Sequence, residues 1–252
     1  MLVLLPPSET KRAGGRRSPL DLDRLGFATL TPQREAVLEA LVELSADADT
    51  AARVLKLSPR QLSEIDVNAE LRTGPTMPAL DRYTGVLYDA LDAAGLDSAA
   101  RRWLGQHVAI HSAPFGPVGA LDRIPAYRLG ATATLPGLPP LRRLWADPVS
   151  DALAARADSF VLDLRSEAYG ALGPVPATTR SAYVRVVSAG PDGTTRALNH
   201  FNKAAKGRLV RALAERRPSV RSLNGLLRWA AGAEVPLQPG SGAWAGEVLL
   251  HA

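Results

Sequence analysis

Four short apolar runs, widely separated along 252 residues, constrain the fold of this chain most strongly. They occupy residues 2–5, 107–112, 160–164 and 247–250, and Pro6-Pro7 ends the first. Runs of this length are typical of buried β-strands, because helices are usually longer. The segments between them have helical spacing, but strands and helices do not alternate strictly. The chain is therefore predicted to form a single α+β domain over residues 1–252, a mixed β-sheet flanked by helices.

The segments between the apolar runs contain helix starts and one clear turn. Thr31-Pro32 and Ser58-Pro59 each place a capping residue before a proline, which favours the first position of a helix. Pro191-Asp192-Gly193 predicts a hairpin turn between strands at about 183–188 and 194–201. Further helices are predicted at 83–94, at 138–157, at 203–216 and after Pro218.

Composition excludes several kinds of chemistry. The chain has no cysteine, so it cannot form disulfides or thiolate metal sites, and it cannot sense peroxide through a thiol. The apolar run at residues 2–5 is too short for a signal peptide. No other stretch approaches the roughly 18 apolar residues that cross a bilayer. These features predict a cytoplasmic protein with no membrane partner.

Positive charge is concentrated in one part of the chain. The formal net charge is +5, and residues 196–228 hold nine basic side chains against the single acid Glu215. Gly207 lies inside the predicted helix of this segment, where it costs about 1 kcal/mol relative to alanine, and it indicates either a close backbone approach or a kink. Charge alone leaves two interpretations open, an anion-binding surface and a solvated basic helix. Basic residues three apart share a face of the helix: Lys203 with Lys206, and Arg208 with Arg211.

The most recognisable motif is Phe201-Asn202-Lys203-Ala204-Ala205-Lys206-Gly207, in which an aromatic residue precedes two lysines and a glycine. Other motifs precede it in a fixed order. Together they resemble the motifs of the YaaA family of peroxide stress-response proteins over roughly residues 2–213. The earlier motifs are Leu2–Lys11, Arg82–Tyr88, the block from Ser112 to Leu129, and Leu164–Tyr169.

The resemblance implies a fold and a function. Members of the family are single α+β domains with a positively charged cleft that binds DNA, and they limit iron-dependent oxidative damage during peroxide stress. The implied partner is DNA, bound largely without regard to base sequence, and no cofactor is required. The residues expected to line the cleft and contact phosphates are Lys11, Arg128, Lys203, Lys206, Arg208 and Arg211.

A second hypothesis is an enzyme that acts on a small anionic substrate, such as a nucleotide or a carboxylate. The same basic residues would hold the anion, and proton chemistry would come from a polar site. A closed pocket would favour this hypothesis and a long open groove would favour DNA. Catalytic residues are not assigned, and the balance of the sequence favours a binding protein. The residues of the polar site are Tyr127, Ser166, Glu167 and Tyr169.

Structural interpretations compete with two of these site assignments, and a metal site is not expected. Ser166 can act as a helix cap after the strand at 160–164. Arg128 can pair with a nearby carboxylate of Asp122 or Glu167. His107 and His111 alternate onto one face of a strand, but too few further ligands accompany them, and no metal site is expected.

Overall fold

The computed structural model describes residues 1–156, 159–189, 195–197 and 202–251. Its strands are β1 (Leu2–Leu5), β2 (Met77–Pro78), β3 (Val108–Ser112), β4 (Gly116–Gly119), β5 (Arg123–Ile124), β6 (Val161–Asp163), β7 (Ser181–Ala189), β8 (Thr195–Ala197), β9 (Leu237–Pro239) and β10 (Val248–His251). Its α-helices are α1 (Thr31–Leu44), α2 (Ala48–Val54), α3 (Ser63–Ala69), α4 (Ala79–Arg82), α5 (Val86–Leu91), α6 (Ser98–His107), α7 (Leu141–Ala154), α8 (Glu167–Gly170), α9 (Asn202–Arg216) and α10 (Leu223–Gly232).

The main sheet is mixed, with the strand order β4-β3-β1-β6-β7-β10-β9. Strands β3, β1, β6, β7 and β10 are parallel to one another, whereas β4, β8 and β9 pair antiparallel with β3, β7 and β10. Helices α6, α7 and α9 pack against β3, β4 and β7. The predicted mixed sheet flanked by helices is therefore confirmed.

A continuous apolar core joins these elements. Every residue of β1 is buried, as are all residues of β3 and β6, because a parallel strand between two neighbours is covered on both faces. The buried apolar cluster extends from Leu2 to Leu250, so the described elements share one core. Among the described residues, no helix combines the length and the apolar character needed to cross a membrane.

The predicted elements match the structure closely, with a few differences. The apolar runs form β1, β3, β6 and β10. Helix α1 starts where predicted, but Thr31 is its first residue and not its cap, because Leu30 is at the N-cap position and no side chain caps the helix. The helix predicted over 83–94 is shorter, because α5 lies between two left-handed residues, Gly85 (φ 93°) and Asp92 (φ 44°). The sequence did not predict helices α2, α4 and α6 or the short strands β2, β4, β5 and β9. The predicted turn Pro191-Asp192-Gly193 lies outside the described residues, as does Phe201.

Candidate anion-binding cleft

A cleft of about 750 Å³ lies where the chain leaves two adjacent parallel strands. The segments after β1 and β6 form one side, and β7 with the first turns of α5 and α9 forms the rest. The sheet continues from β1 to β3 on one side and to β6 on the other, and ligands of such sheets bind outside the carboxyl ends at this kind of reversal. We call this the α9 cleft. Its lining residues are Pro6–Thr10, Gly85–Tyr88, Ser166–Tyr169, Tyr183–Val186, Asn202, Lys203 and Lys206.

Lys206 is the most deeply placed cation of the α9 cleft. Its side chain is almost fully buried (6% exposed), and Nζ donates hydrogen bonds to the backbone oxygens of Leu164 (2.9 Å) and, more weakly, Arg165 (3.5 Å). Burial lowers the pKa of Lys206 to about 8; Asp163 opposes this shift and Arg185 adds to it. Within the described part of the chain, Lys206 has no carboxylate partner in an ion pair.

Lys203 lies one helical turn before Lys206, and both line the cleft, as expected for residues three apart on a helix. The side chain of Lys203 is exposed at the rim and has no partner among the residues that the structure describes. Arg208 is also exposed but does not line the cleft. Arg211 faces α5 instead, where it contacts Asp92, and it also pairs with Glu215 on its own helix.

Gly207 allows α9 to lie directly against α5. A Cβ atom at this position would collide with the backbone oxygen of Leu87 and would lie 2.9 Å from Cβ of Ala90. No side chain fits there, so the glycine marks the close backbone approach that was one of its two sequence interpretations. This contact fixes the position of Lys206, the residue before the glycine, over the end of β6. Lys203 lies one helical turn earlier on the same helix.

Arg185 is a cleft residue that the sequence did not single out. Its guanidinium lies over the ring of Tyr183 and donates to Glu247, the residue before β10, at 2.5 and 2.9 Å. These hydrogen bonds raise its pKa, and a longer contact of 3.9 Å reaches Glu167. The spacing Tyr183-x-Arg185 was the available signal, because alternate residues of a strand share one face.

The lining of the α9 cleft carries mixed charge. Its cations are Arg185, Lys203 and Lys206, and its carboxylates are Glu9 and Glu167, whose side chains are 85% and 83% exposed. Exposed carboxylates are well solvated and turn away readily, whereas the buried amine of Lys206 cannot. Arg185 is already bound by Glu247, so the two lysines are the cations available to an anion.

Lys11 and Tyr127 meet beneath the segment 6–10 rather than in the cleft. The Nζ atom of Lys11 donates to the backbone oxygens of Ser8 (3.1 Å) and Glu9 (3.0 Å) and lies 4.1 Å from the ring centre of Tyr127. The Tyr127 hydroxyl is 2.8 Å from that of Tyr83, and burial raises the pKa of both phenols. Lys11 therefore stabilises the segment 6–10 that forms one wall of the cleft, and its ammonium group lies over the face of an aromatic ring.

The remaining predicted residues are divided between the cleft and its surroundings. Ser166, Glu167 and Tyr169 line the cleft. Ser166 stands at the start of α8, but its hydroxyl makes no capping hydrogen bond. Arg128 lies outside the lining and pairs with Glu9 at 3.5 Å, instead of with either carboxylate named above.

A buried ionic cluster lies behind the cleft. Arg165 donates to both carboxylate oxygens of Asp163 (2.9 and 2.7 Å) and to the backbone oxygen of Gly173 (2.9 Å). It also donates to Nδ1 of His111 at 2.8 Å, because a guanidinium is always a donor. His111 is therefore neutral, and burial lowers its pKa well below the usual value. Its Nε2 atom is buried without a partner among the described residues. The cluster holds in place the carbonyl groups that bind Lys206.

The pKa of Lys11 predicts how stability depends on pH. Burial lowers it to about 7 in the folded protein, against 10.5 when exposed. Between these values the unfolded chain binds more protons, so the free energy of unfolding rises with pH. We expect an increase on the order of 1–2 kcal/mol between about pH 7 and pH 9.

Urea unfolding of the wild type and of Lys11→Met at several pH values measures this effect. In the variant the free energy of unfolding should change less with pH than in the wild type. The dependence that remains above about pH 8 should come from Lys206. Lys56→Met, at an exposed position, is the control and should keep the wild-type slope. A slope in Lys11→Met equal to that of the wild type would refute the prediction.

The fold and the cleft define a class of protein: a mixed α/β domain with a ligand-sized cleft at the ends of parallel strands, in which two lysines of one helix are available to an anion. A family model described as "Peroxide stress protein YaaA" matches residues 1–231. The chain therefore belongs to the YaaA family of peroxide stress proteins, and the resemblance found in the sequence is confirmed.

Relatives with the family name UPF0246 support this membership. A UPF0246 protein of Streptomyces coelicolor is 44% identical over 100% of this chain and 99% of its own length. A UPF0246 protein of Corynebacterium efficiens is 47% identical over 85% of both chains. A UPF0246 protein of Lactobacillus delbrueckii subsp. bulgaricus is 34% identical, again over 85% of both. The similarity thus covers the cleft and the segments that form it.

Proposed function

We propose that this family member acts in the cytoplasm during peroxide stress by binding the phosphate groups of DNA at the α9 cleft, and that this binding limits iron-dependent damage to DNA. One observation supports the proposal above all others. Lys203 and Lys206 both line one cleft, and neither is ion-paired with a carboxylate in the described part of the chain. Such charges attract phosphate and release condensed counterions from nucleic acid.

Aromatic side chains beside these lysines support a nucleic acid as the ligand. The ring centre of Tyr183 lies 5.5 Å from Nζ of Lys206, and Tyr183 lines the cleft with Tyr88 and Tyr169. Aromatic rings combined with cations bind bases by stacking and phosphates by charge, without hydrogen-bond readout of the sequence. Arg208, exposed on the same helix, would extend the phosphate contacts beyond the cleft. Arg128 and Arg211, already engaged with acids, contribute less.

A small anionic ligand is the second candidate, because the volume of the cleft favours it. About 750 Å³ is within the range of pockets that hold small molecules, and a nucleotide would satisfy the same lysines and rings. The two candidates differ in salt dependence, since a polynucleotide releases many counterions and a mononucleotide does not.

Binding of a labelled oligonucleotide, measured by fluorescence anisotropy over a salt series, tests the proposal. The variant is Lys203→Glu with Lys206→Met, because a glutamate at 206 would face the carbonyl oxygens of Leu164 and Arg165. We expect affinity to fall by about 100-fold, since each charge-assisted contact contributes roughly 1.5 kcal/mol or more. The salt slope should fall by about two, one for each lost phosphate contact.

The control is Arg142→Glu with Arg143→Met, which makes the same change in net charge on α7, outside the cleft. It should keep nearly the wild-type affinity and slope. Equal binding by the cleft variant and the wild type would refute DNA binding at this site. Competition by a mononucleotide at similar affinity would favour the small-ligand candidate.

A further inference from the structure

We propose that Lys206 is also a nucleophile, which captures a phosphorylated ligand that carries an aldehyde by forming a Schiff base with it in the α9 cleft. This inference rests on the anion binding proposed above, because Lys203 would hold the phosphate while Lys206 meets the carbonyl carbon. The two side chains lie one helical turn apart on the same face of α9.

The environment of Lys206 suits a lysine that is mostly a cation at neutral pH but gives up its proton readily. Its nitrogen is buried and donates hydrogen bonds to two main-chain carbonyl groups. The nearby carboxylate of Asp163 accepts two hydrogen bonds from Arg165 and forms no ion pair with Lys206. A buried lysine with no paired carboxylate loses its proton readily. With a pKa of about 8, roughly a tenth of the molecules carry the free amine at pH 7, far more than for an exposed lysine.

The hydrogen bonds leave the reactive position of this amine open. A neutral amine has two N–H groups and one lone pair, and the oxygens of Leu164 and Arg165 can accept both N–H groups. The lone pair then has no protein partner in the described structure, and Lys206 lines the cleft. Both anchors belong to the backbone just after β6, so the nitrogen is held in place by the sheet itself.

Lys11 is the other lysine with a lowered pKa, but its position prevents it from reacting with a ligand in the cleft. Its pKa is lowered as well, to about 7, but its nitrogen lies against the ring of Tyr127 and the residue does not line the cleft. A ligand in the cleft therefore meets Lys206 and not Lys11. Of the lysines in the chain, only Lys206 is both buried and part of the cleft lining.

The reaction needs no further reactant. The nitrogen of Lys206 attacks the aldehyde carbon to give a carbinolamine, and its two hydrogens leave with the aldehyde oxygen as water when the C=N bond forms. Two sources supply an aldehyde next to a phosphate: a free sugar phosphate, and the ring-opened sugar at an abasic site in DNA. Both present the same chemistry to Lys203 and Lys206.

Reductive trapping tests the inference. The full-length protein is incubated with sodium cyanoborohydride and either a labelled oligonucleotide containing one abasic site or 2-deoxyribose 5-phosphate. Covalent adducts are measured by denaturing gel and by peptide mass spectrometry. We expect an adduct on Lys206, formed faster as the pH rises from about 6 to 8 because more of the amine is free. An oligonucleotide without the abasic site should give none.

Two variants and one control test whether Lys206 acts as a nucleophile or only as a positive charge. Lys206→Arg keeps the positive charge and Lys206→Met keeps the apolar stem, and both should lose the adduct. Lys56→Arg, an exposed lysine outside the cleft, should trap like the wild type. Circular dichroism and urea unfolding establish that each variant is folded.

The outcomes also distinguish this inference from the proposed function. If the wild type binds the intact oligonucleotide but gives no adduct with either probe, the Schiff base is refuted and DNA binding stands. An adduct with the sugar phosphate alone, without oligonucleotide binding, would refute DNA binding and retain the nucleophile. Adducts that persist at the wild-type level in both Lys206 variants would overturn the inference.

Discussion

Replacing Arg165 by alanine should lower the free energy of unfolding by about 3–5 kcal/mol, the largest loss that we expect from a single side chain here. The guanidinium is almost fully buried and forms two hydrogen bonds with the carboxylate of Asp163. Without it, a buried carboxylate loses its counter-ion, and Nδ1 of His111 and the backbone oxygen of Gly173 lose their donor. Urea denaturation followed by circular dichroism measures the change.

Two further variants test the reason for this loss. Arg72→Ala breaks an ion pair with Glu35 in which both side chains are 49% exposed, and it should cost less than about 1 kcal/mol. Arg165→Met combined with Asp163→Leu removes both charges and should recover much of the lost stability, because no unpaired charge remains buried. A loss in Arg165→Ala no greater than in Arg72→Ala would show that the cluster does not stabilise the fold.

Gly207→Ala should destabilise the protein by about 2–3 kcal/mol and weaken ligand binding at the α9 cleft, although alanine is the better helix former. The new methyl group would strike the backbone oxygen of Leu87, and a backbone cannot rotate away as a side chain can. Helix α9 must therefore move away from α5, and Lys203 and Lys206 move with it. Urea denaturation and oligonucleotide binding measure the two effects.

Gly232→Ala is the matched control. Gly232 is the last residue of α10, and a Cβ atom there would meet nothing within 4 Å. Alanine should therefore stabilise this helix by roughly 0.5–1 kcal/mol, since only the propensity difference remains. If Gly207→Ala stabilised the protein to the same extent, the close approach of α9 and α5 would not depend on the glycine.

Local patterns explain why most of the fold could be predicted. An apolar run such as Leu2–Leu5 indicates a buried strand, and a proline in the first turn, as at Pro32, indicates the start of a helix. For α5 the pattern predicted the helix but not its end, where Asp92 follows Leu91 in a left-handed conformation. Few non-glycine residues adopt that conformation, and although Asp is one of the more frequent, the prediction carried the helix past Asp92.

Part of the candidate site could be predicted in the same way. The spacing of Lys203 and Lys206 placed them on one helix face, and both line the cleft. The same spacing grouped Arg208 with Arg211, but Arg211 bonds to Asp92, which is 119 residues away in the chain. The sequence alone does not show whether a charged side chain is free to bind a ligand, because its ion-pair partner can lie far away in the chain and close to it only in the folded protein.

What the sequence determined by itself is the four buried strands β1, β3, β6 and β10, the longer helices α1, α7, α9 and α10, and the family, because each depends on residues close together in the chain. The tertiary structure decided which cations remain available, since it pairs Arg128 with Glu9 and Arg211 with Asp92. It also decided the pKa of Lys206, which is lowered because the side chain is buried over the end of β6. Burial and distant pairing depend on how the elements pack, so no local pattern contains them.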